Sequence, residues 1–322
     1  MKQDTLNDFE QMSTTGIDIA KNESLLPVVD IIKDNIIKSR HTILYGPPGT
    51  GKTHMILDVL RYLEIEGKVK QKKVIQFHSQ YTYQDFIEGY RYEKGQFEYK
   101  KGVLLEFSNN ITDGEIGVLF IDEINRADLS SVFGELLFLL DSGVDEEKEI
   151  ILPLSNSSYS LPKSLVIIGS MNSADKNISL IDLALRRRFE FIFIPPSVET
   201  LKKILSNKDV ANDFSCQEYT EFFRVINTRI LVHPLLGKNL TLGSSMFVSK
   251  DKELNYNNIT RNFNSAILPQ IETYFGAENY SEIAKLLNTV IANNIRYGKR
   301  SSVDEVKKLI NILANSDEEL LF

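Results

Sequence analysis

A glycine-rich loop that ends in a lysine and a threonine is the segment with the clearest chemical meaning. It follows an apolar run at Thr42–Tyr45 and precedes a helical pattern at His54–Leu63. Its residues are Gly46, Pro47, Pro48, Gly49, Thr50, Gly51, Lys52 and Thr53. Glycines let backbone N–H groups approach phosphate oxygens, a lysine neutralises their charge, and a threonine hydroxyl can ligate Mg²⁺. This spacing predicts a loop that binds a nucleoside triphosphate; the alternative is a glycine-rich turn with an incidental lysine.

Two carboxylates follow the apolar run Gly117–Ile121. Charged groups at the end of a buried strand are costly unless they meet a cation. Asp122 is therefore predicted to hold the ligand shell of Mg²⁺ together with Thr53. Glu123 is predicted to polarise the water that attacks the terminal phosphate. The alternative is that both acids only cap the next helix.

Further polar residues come after the next apolar run, Leu165–Gly169. The segment Ser170-Met171-Asn172 ends in an amide that is predicted to lie beside the terminal phosphate and to orient the water. A turn-forming asparagine is the alternative.

Three adjacent arginines, Arg186, Arg187 and Arg188, form the densest positive cluster of the chain. As arginine fingers, Arg186 and Arg187 would reach a phosphate that a neighbouring subunit holds and stabilise the charge that develops there. That arrangement requires a ring or at least a dimer. The alternative is a solvated basic turn or a set of intrachain salt bridges.

The elements that must hold these residues alternate between strands and helices. Strand-like runs occur at Thr42–Tyr45, Lys73–Phe77, Gly117–Ile121, Leu165–Gly169 and Phe191–Ile194. Because these runs are almost wholly apolar, both faces of the sheet are expected to be buried. The pattern predicts an α/β fold in which a parallel sheet is sandwiched by helices, among them Leu25–Lys38 and Leu129–Leu140. A β-hairpin is predicted from Glu149–Leu154 to Tyr159–Leu161 around a polar turn.

A double proline, Pro195-Pro196, marks the predicted domain boundary. Residues 1–24 are expected to be an N-terminal extension, 25–196 the α/β nucleotide-binding domain, and 197–322 a smaller, mainly helical lid domain. The predicted helices after the boundary are Glu199–Leu205, Gln217–Ile230, Ile259–Tyr274, Tyr280–Asn293 and Val303–Leu313. The segment Asp317–Phe322 is expected to be a frayed tail.

Composition excludes several classes of function. The 322 residues carry a net charge of −7, so any contact with DNA has to be local rather than driven by a domain-wide positive field. The one cysteine, Cys216, excludes an intrachain disulfide, and the four histidines lack the spacing of zinc ligands. The sequence has no secretory signal and no apolar run of membrane-spanning length, so a cytoplasmic protein is expected.

The order of these motifs is that of the AAA+ P-loop nucleoside triphosphatases, and a narrower resemblance points to the McrB family. The segments that resemble this family are Phe77–Gly89, Ile121–Ala127, Phe133–Leu136, Met171–Asp175 and Asp182–Phe189. The element Met171-Asn172-Ser173-Ala174-Asp175 resembles the family's distinctive Met-Asn-x-x-Asp motif, whose members hydrolyse GTP rather than ATP. By this resemblance Asp175 belongs to the active centre and Arg126 acts across the subunit interface.

The resemblance also implies partners. It implies hexameric rings, an McrC-like subunit that carries the nuclease and stimulates hydrolysis, and translocation on DNA in a restriction or phage-defence complex.

The chain departs from the family pattern in two places. Gly243-Ser244-Ser245-Met246-Phe247 replaces the family's Gly-His-Ser-Tyr-Phe element. About 40 residues precede the phosphate loop, too few for a domain that reads modified bases, so target recognition is expected to lie in another chain or to be absent.

Other functions are compatible with the same residues. An ATP-dependent remodelling chaperone of the MoxR or dynein-related type shares the phosphate loop, the Asp-Glu pair and the hairpin. A nucleotide-gated assembly platform is a third possibility, although Glu123 argues for hydrolysis. The residues that contact the base are expected in the stretch just before Thr42. Arg229, Arg261 and Arg296 are equally plausible sensor arginines of the helical domain.

Overall fold

The apolar runs form one sheet in the computed structural model, which describes residues 26–140, 148–175, 183–276 and 279–316. The strands are β1 (Thr42–Gly46), β2 (Val69–Gln76), β3 (Glu88–Glu93), β4 (Gln96–Lys101), β5 (Ile116–Asp122), β6 (Ile150–Ile151), β7 (Ser158–Tyr159), β8 (Leu165–Asn172), β9 (Glu190–Phe193), β10 (Asp209–Val210) and β11 (Glu253–Leu254). Five of them form a sheet in the order β2-β5-β8-β1-β9, with parallel pairing of β2 with β5, β5 with β8 and β1 with β9. The predicted five-stranded α/β sheet is confirmed.

Helices lie between the strands of the five-stranded sheet, before its first strand and after its last. They are α1 (Leu26–Ile37), α2 (Lys52–Ile65), α3 (Tyr83–Phe86), α4 (Val103–Ser108), α5 (Leu129–Phe133), α6 (Leu136–Leu140), α7 (Leu183–Arg186), α8 (Val198–Ser206), α9 (Cys216–Val232), α10 (Tyr256–Asn262), α11 (Leu268–Phe275), α12 (Tyr280–Leu286), α13 (Thr289–Arg296) and α14 (Val303–Ala314). In the described ranges, none of them combines the length and apolar character that a bilayer-spanning helix requires.

Both faces of the sheet are buried, as its composition predicts. On β5, successive side chains point to opposite faces, yet Val118, Leu119, Phe120 and Ile121 are all fully buried. Such a strand needs a covering layer on each side, because either face left open would expose several large apolar side chains to water. Helix α1, predicted at Leu25–Lys38, contributes Val29, Ile32 and Ile36, each at most 1% exposed.

One predicted helix, Leu129–Leu140, is two helices in the structure. Helix α5 ends at Phe133, and Gly134 adopts a φ of +48°, outside the helical region. A Cβ at Gly134 would also lie 3.1 Å from Cε2 of Tyr83. The apolar periodicity of the sequence continues through Gly134, so the pattern predicts a single helix. The positive φ of this glycine divides that helix into two.

Two β-hairpins project from the strand-helix framework. The predicted one is confirmed in shortened form, since β6 pairs antiparallel with β7. The other was not predicted: β3 and β4 pair antiparallel from Glu88↔Lys101 to Glu93↔Gln96. Its turn is Lys94-Gly95, with φ values of +52° and +88°, the left-handed pair that a two-residue hairpin loop requires.

A buried carboxylate joins these two hairpins. Glu88, the first residue of β3, is fully buried, and its Oε1 accepts the backbone N–H of Leu154 at 2.7 Å. Its Oε2 accepts the hydroxyl of Tyr99 on β4 at 2.9 Å. Burial alone raises the pKa of Glu88, but the hydrogen bonds from Ser155, Leu154 and Tyr99 outweigh it and hold the pKa below its usual range. The carboxylate is thus charged and shared between the hairpins.

The described residues divide into two compact units. One unit contains residues 26–45 and 52–193, and the other contains Gly46–Gly51 together with residues 194–316. The second unit is mainly helical, and its core includes Tyr219, Phe223 and Phe247.

Two predicted helices of the second unit are interrupted. The pattern at Tyr280–Asn293 is split into α12 and α13 at Leu287, where Asn288 caps the second helix by accepting the N–H of Ile291. The pattern at Ile259–Tyr274 contains a π-helical turn at Phe263–Ile267. The expected N-terminal extension and tail, Leu25 and Asp182 lie outside the described residues.

His41, directly before β1, predicts a pH dependence of folding stability. Its Nδ1 accepts the backbone N–H of Ile167 at 3.1 Å, and burial lowers its pKa from 6.5 to about 4. The unfolded chain binds the proton at the ordinary pKa, so the stabilisation is complete above pH 6.5 and is lost as the pH falls toward 4. Between about pH 7 and pH 5 the wild type is expected to lose up to about 2 kcal/mol more unfolding free energy than His41→Gln, measured by urea denaturation. Equal losses in both proteins would contradict this assignment.

Candidate functional site

The glycine-rich loop has the backbone conformation that its sequence predicts. Gly49 and Gly51 have φ values of +80° and +86°, which residues with a Cβ rarely adopt. The hydroxyl of Thr50 donates to the carbonyl of Pro47 at 3.1 Å and closes the turn. Helix α2 begins immediately afterwards, at Lys52. The loop therefore leads from the end of β1 into a helix N-terminus, the arrangement that presents N–H groups to an anion.

Lys52 is a buried cation held by an amide from a neighbouring strand. Its Nζ donates to Oδ1 of Asn172 at 3.0 Å, and the residue is only 7% exposed. Burial lowers the pKa of Lys52 to about 8, while the charges of Asp122 and Asp175 raise it and partly offset the effect. A desolvated ammonium near two carboxylates can interact strongly with a further negatively charged group. Asn172, predicted to lie beside the terminal phosphate, thus contacts the lysine that is predicted to bind the phosphates.

Thr53 and Asp122 meet at the end of β5. The hydroxyl of Thr53 donates to Oδ1 of Asp122 at 3.0 Å, and the hydroxyl of Ser170, on β8, donates to the same oxygen. Ser170 was not among the residues singled out from the sequence. A hydroxyl and one carboxylate are the hard oxygen donors that Mg²⁺ takes when phosphate and water complete its shell. Within the described residues no cluster of three or more acidic, histidine or cysteine side chains could hold a metal without such help.

Glu123 has a constrained backbone and a partly exposed carboxylate. Its φ of +50° is left-handed, and its N–H donates to the hydroxyl of Ser170 at 3.4 Å. The carboxylate accepts Nε2 of Gln76 at 3.2 Å and pairs with Nε of Arg126 at 3.2 Å. A non-glycine residue in this region of φ and ψ is uncommon, and such residues concentrate at functional sites.

A pocket of about 280 Å³ opens beside this carboxylate. Its lining residues are Gln76, Phe77, His78, Ser79, Glu123 and Arg126. The guanidinium of Arg126 is about half exposed, so its ion pair with Glu123 is screened by water and easily exchanged for another partner.

Asp175 contacts a second residue that sequence reasoning missed. Its Oδ2 accepts Nδ2 of Asn125 at 3.4 Å, and its N–H donates to the carbonyl of Asn172 at 3.4 Å. Asn125 is 8% exposed, and its own Oδ1 is buried without a hydrogen-bond partner in the described structure. Buried acceptors of this kind are rare and usually meet a water, ion or ligand. Asn125 lies in the Asp-Glu-Ile-Asn-Arg segment. Its position two residues after Glu123 is the feature of the sequence that could have identified it as a site residue.

The structure brings together the predicted residues Lys52, Thr53, Asp122, Asn172 and Asp175. Glu123 adjoins them at the end of β5.

Arg186 and Arg187 belong to the same unit as these residues. Arg186 ends α7 and both side chains are exposed. Within the described ranges neither makes a hydrogen bond or ion pair with Glu123, Asn172 or Asp175. That position is compatible with action on another molecule.

Comparison with known proteins gives matches over the same region. The family described as AAA domain (dynein-related subfamily) matches residues 41–189. The Type IV methyl-directed restriction enzyme EcoKMcrB subunit of Escherichia coli (strain K12) is 34% identical over 242 residues, which cover 71% of this chain and 52% of that protein. The Type II restriction enzyme BsuMI component YdiS of Bacillus subtilis (strain 168) is 24% identical over 79% of this chain and 84% of its own length.

A third relative is more distant in its described role. The Holliday junction branch migration complex subunit RuvB of Sulfurimonas denitrificans is 29% identical over 55% of this chain and 46% of that protein. The chain thus spans about half the length of the McrB and RuvB relatives. The matched region contains the phosphate loop, the two strand ends and the arginine cluster, and the chain belongs to the McrB-like family of AAA+ nucleoside triphosphatases.

Proposed function

We propose that the chain hydrolyses GTP, with Mg²⁺, as the motor subunit of a DNA restriction or phage-defence complex. The observation that carries the proposal is the joint position of Lys52, bonded to Asn172, and Thr53, bonded to Asp122, at the start of one helix and the ends of two strands. The name of the McrB relative supports the restriction role. A cytoplasmic location goes with this role, because the DNA substrate is there.

Each residue has a role that follows from its chemistry. Lys52 offsets the negative charge of the terminal phosphates, and Thr53 with Asp122 would hold the metal ion. Mg²⁺, when bound, neutralises phosphate oxygens and helps to align them. Glu123 accepts a proton from the attacking water as general base, and Asn172 orients that water. We assign Asp175, through Asn125, to fixing the position of these groups.

Oligomerisation is part of the proposal. Arg126, Arg186 and Arg187 are exposed cations that can serve a nucleotide held by a neighbouring copy. A closed ring, hexameric in the resemblance to McrB, gives every site such a neighbour. An McrC-like nuclease is the proposed partner subunit, and DNA is engaged through the complex because the chain itself carries a net charge of −7.

Nucleotide choice is the direct test of this function. Purified protein is expected to turn over GTP at least about tenfold faster than ATP at equal, subsaturating concentrations, measured as phosphate release. Candidate nuclease partner and DNA are then added separately and together, and stimulation by the partner is expected. A clear preference for ATP would contradict the GTP assignment and leave the nucleoside-triphosphatase assignment intact.

A second candidate is an ATP-dependent remodelling chaperone of the MoxR or dynein-related type. It is favoured by the match of residues 41–189 to the dynein-related subfamily of AAA domains. Its substrate would be a protein, so turnover would respond to a protein partner and not to DNA. A nuclease gene beside the gene for this chain would favour restriction, and a gene for a metal-binding adhesion-type domain would favour the chaperone.

A further inference from the structure

We propose that the segment Leu242–Phe247, here called the strap, orients the peptide groups of the phosphate loop, and that Gly243 is the residue on which this depends. The inference rests on the proposed nucleotide site and adds positioning residues to it. The strap and Gly46–Gly51 belong to the same compact unit.

Two backbone hydrogen bonds join the strap to the loop. The N–H of Gly243 donates to the carbonyl of Pro48 at 3.2 Å, and the N–H of Ser245 donates to the carbonyl of Gly49 at 3.1 Å. Two successive carbonyls of the loop are thus held on the side that faces the strap.

Because the peptide group is planar, holding a carbonyl in place also fixes the direction of the N–H group of the next residue. In a trans peptide the C=O and the N–H of the next residue point in opposite directions. Fixing the carbonyl of Pro48 therefore directs the N–H of Gly49 away from the strap. Fixing the carbonyl of Gly49 does the same for the N–H of Thr50. These are backbone donors of the loop that is proposed to bind phosphate, and donors fixed before binding incur little further loss of entropy.

The strap can impose this geometry because side chains of its own unit hold it. Asn227, which is 1% exposed, accepts the N–H of Leu242 at 2.6 Å and donates to its carbonyl at 3.1 Å. At the other end, the hydroxyl of Tyr219 donates to the carbonyl of Phe247 at 2.8 Å. Both anchoring side chains lie on α9.

Two more side chains hold the middle of the strap. The hydroxyl of Ser244 donates to the carbonyl of Ser197 at 2.9 Å, and Nδ2 of Asn262 donates to the carbonyl of Met246 at 2.7 Å. Every residue from Leu242 to Phe247 therefore has a hydrogen bond either to the unit or to the loop.

The contact is too close for a side chain at Gly243. A Cβ there would lie 2.1 Å from the carbonyl carbon of Gly49 and 2.3 Å from the carbonyl oxygen of Pro48. The φ of Gly243 is −70°, which alanine adopts without strain. Replacement by alanine thus acts by pushing the strap and the loop apart, and not through the conformation of residue 243 itself.

The test is equilibrium binding of the fluorescent analogues mant-GTP and mant-ATP, with Mg²⁺, to wild type and Gly243→Ala. Whichever analogue the wild type binds is expected to bind at least about tenfold more weakly to the variant, since hydrogen bonds to charged phosphate are lost. The matched control is Gly298→Ala in the same unit, where an added Cβ meets open space and a φ of +65° makes alanine mildly destabilising. Its affinity is expected to stay at the wild-type value. Wild-type affinity in a folded Gly243→Ala protein would overturn the proposal.

Hydrogen exchange of the wild type gives an answer even if the variant does not fold. The amides of Gly243 and Ser245 are expected to exchange slowly without nucleotide, as hydrogen-bonded groups do. Exchange at the rate of unprotected amides would overturn the proposal. If the wild type binds neither analogue, the proposed nucleotide site fails, and slow exchange of these amides would still show that the strap holds the loop.

Discussion

Replacing Glu123 with glutamine is expected to lower steady-state turnover by about two to four orders of magnitude. Glutamine has nearly the same shape, and its amide oxygen can still accept from Gln76, as the carboxylate does at 3.2 Å. It cannot take a proton from water at neutral pH. Nucleotide binding is proposed to depend on Lys52, Thr53 and the loop, so the variant should bind and retain nucleotide.

The rate of phosphate release and the affinity for the mant nucleotides, measured on the same preparation, separate an effect on turnover from an effect on binding. Glu253→Gln, an exposed residue of the second unit, is the matched control and should turn over as the wild type does. Undiminished turnover by Glu123→Gln would show that another group activates the water. A parallel loss of affinity would show that Glu123 acts in binding.

Replacing Lys52 with alanine is expected to weaken nucleotide binding by about 10- to 100-fold or more. The ammonium is buried and bonded to Asn172, so alanine removes a desolvated positive charge from this position. Removing it leaves phosphate charge and the carboxylates of Asp122 and Asp175 without their common partner. Isothermal titration with GTP and Mg²⁺ measures the loss.

The pH dependence of binding identifies the group responsible. Because burial lowers the pKa of Lys52 to about 8, the wild type should bind best below pH 8 and lose affinity as the pH rises through that value. Lys52→Ala should lack this dependence, and Lys68→Ala, at an exposed position, should retain it. A wild-type profile that stays flat to about pH 10 would assign the phosphate contact to another group.

The sheet and the centre of the site could be predicted because each rests on a local pattern. A strand buried on both faces has to be apolar throughout, as Val118–Ile121 is, and polar residues at its end are then conspicuous. The phosphate loop is equally local, since its glycines, lysine and threonine are close in sequence. These signals need no knowledge of what packs nearby.

The supporting residues could not be predicted, because their partners are distant in sequence. Ser170 bonds to Asp122 across the sheet, Gln76 reaches Glu123 from β2, and Asn125 meets Asp175 fifty positions later. Without knowledge of the strand pairing, nothing distinguishes these residues from the other polar residues of the chain.

Two other differences between the predicted and the observed elements depend on local backbone conformation. The β3–β4 hairpin turns on Lys94-Gly95, a weaker turn signal than Asn-Gly. The aromatic residues do alternate as in strands, at Tyr90 and Tyr92 on β3 and at Phe97 and Tyr99 on β4. The helix break at Gly134 was hidden by apolar residues that continue in register on both sides.

Glu88 has a mechanical consequence for the two hairpins. One carboxylate belongs to β3, accepts from Tyr99 on β4, and also accepts from the Leu154–Ser155 loop of the other hairpin. Separating the hairpins would break the hydrogen bonds that the N–H groups of Leu154 and Ser155 donate to this charge. We therefore expect the two hairpins to move together.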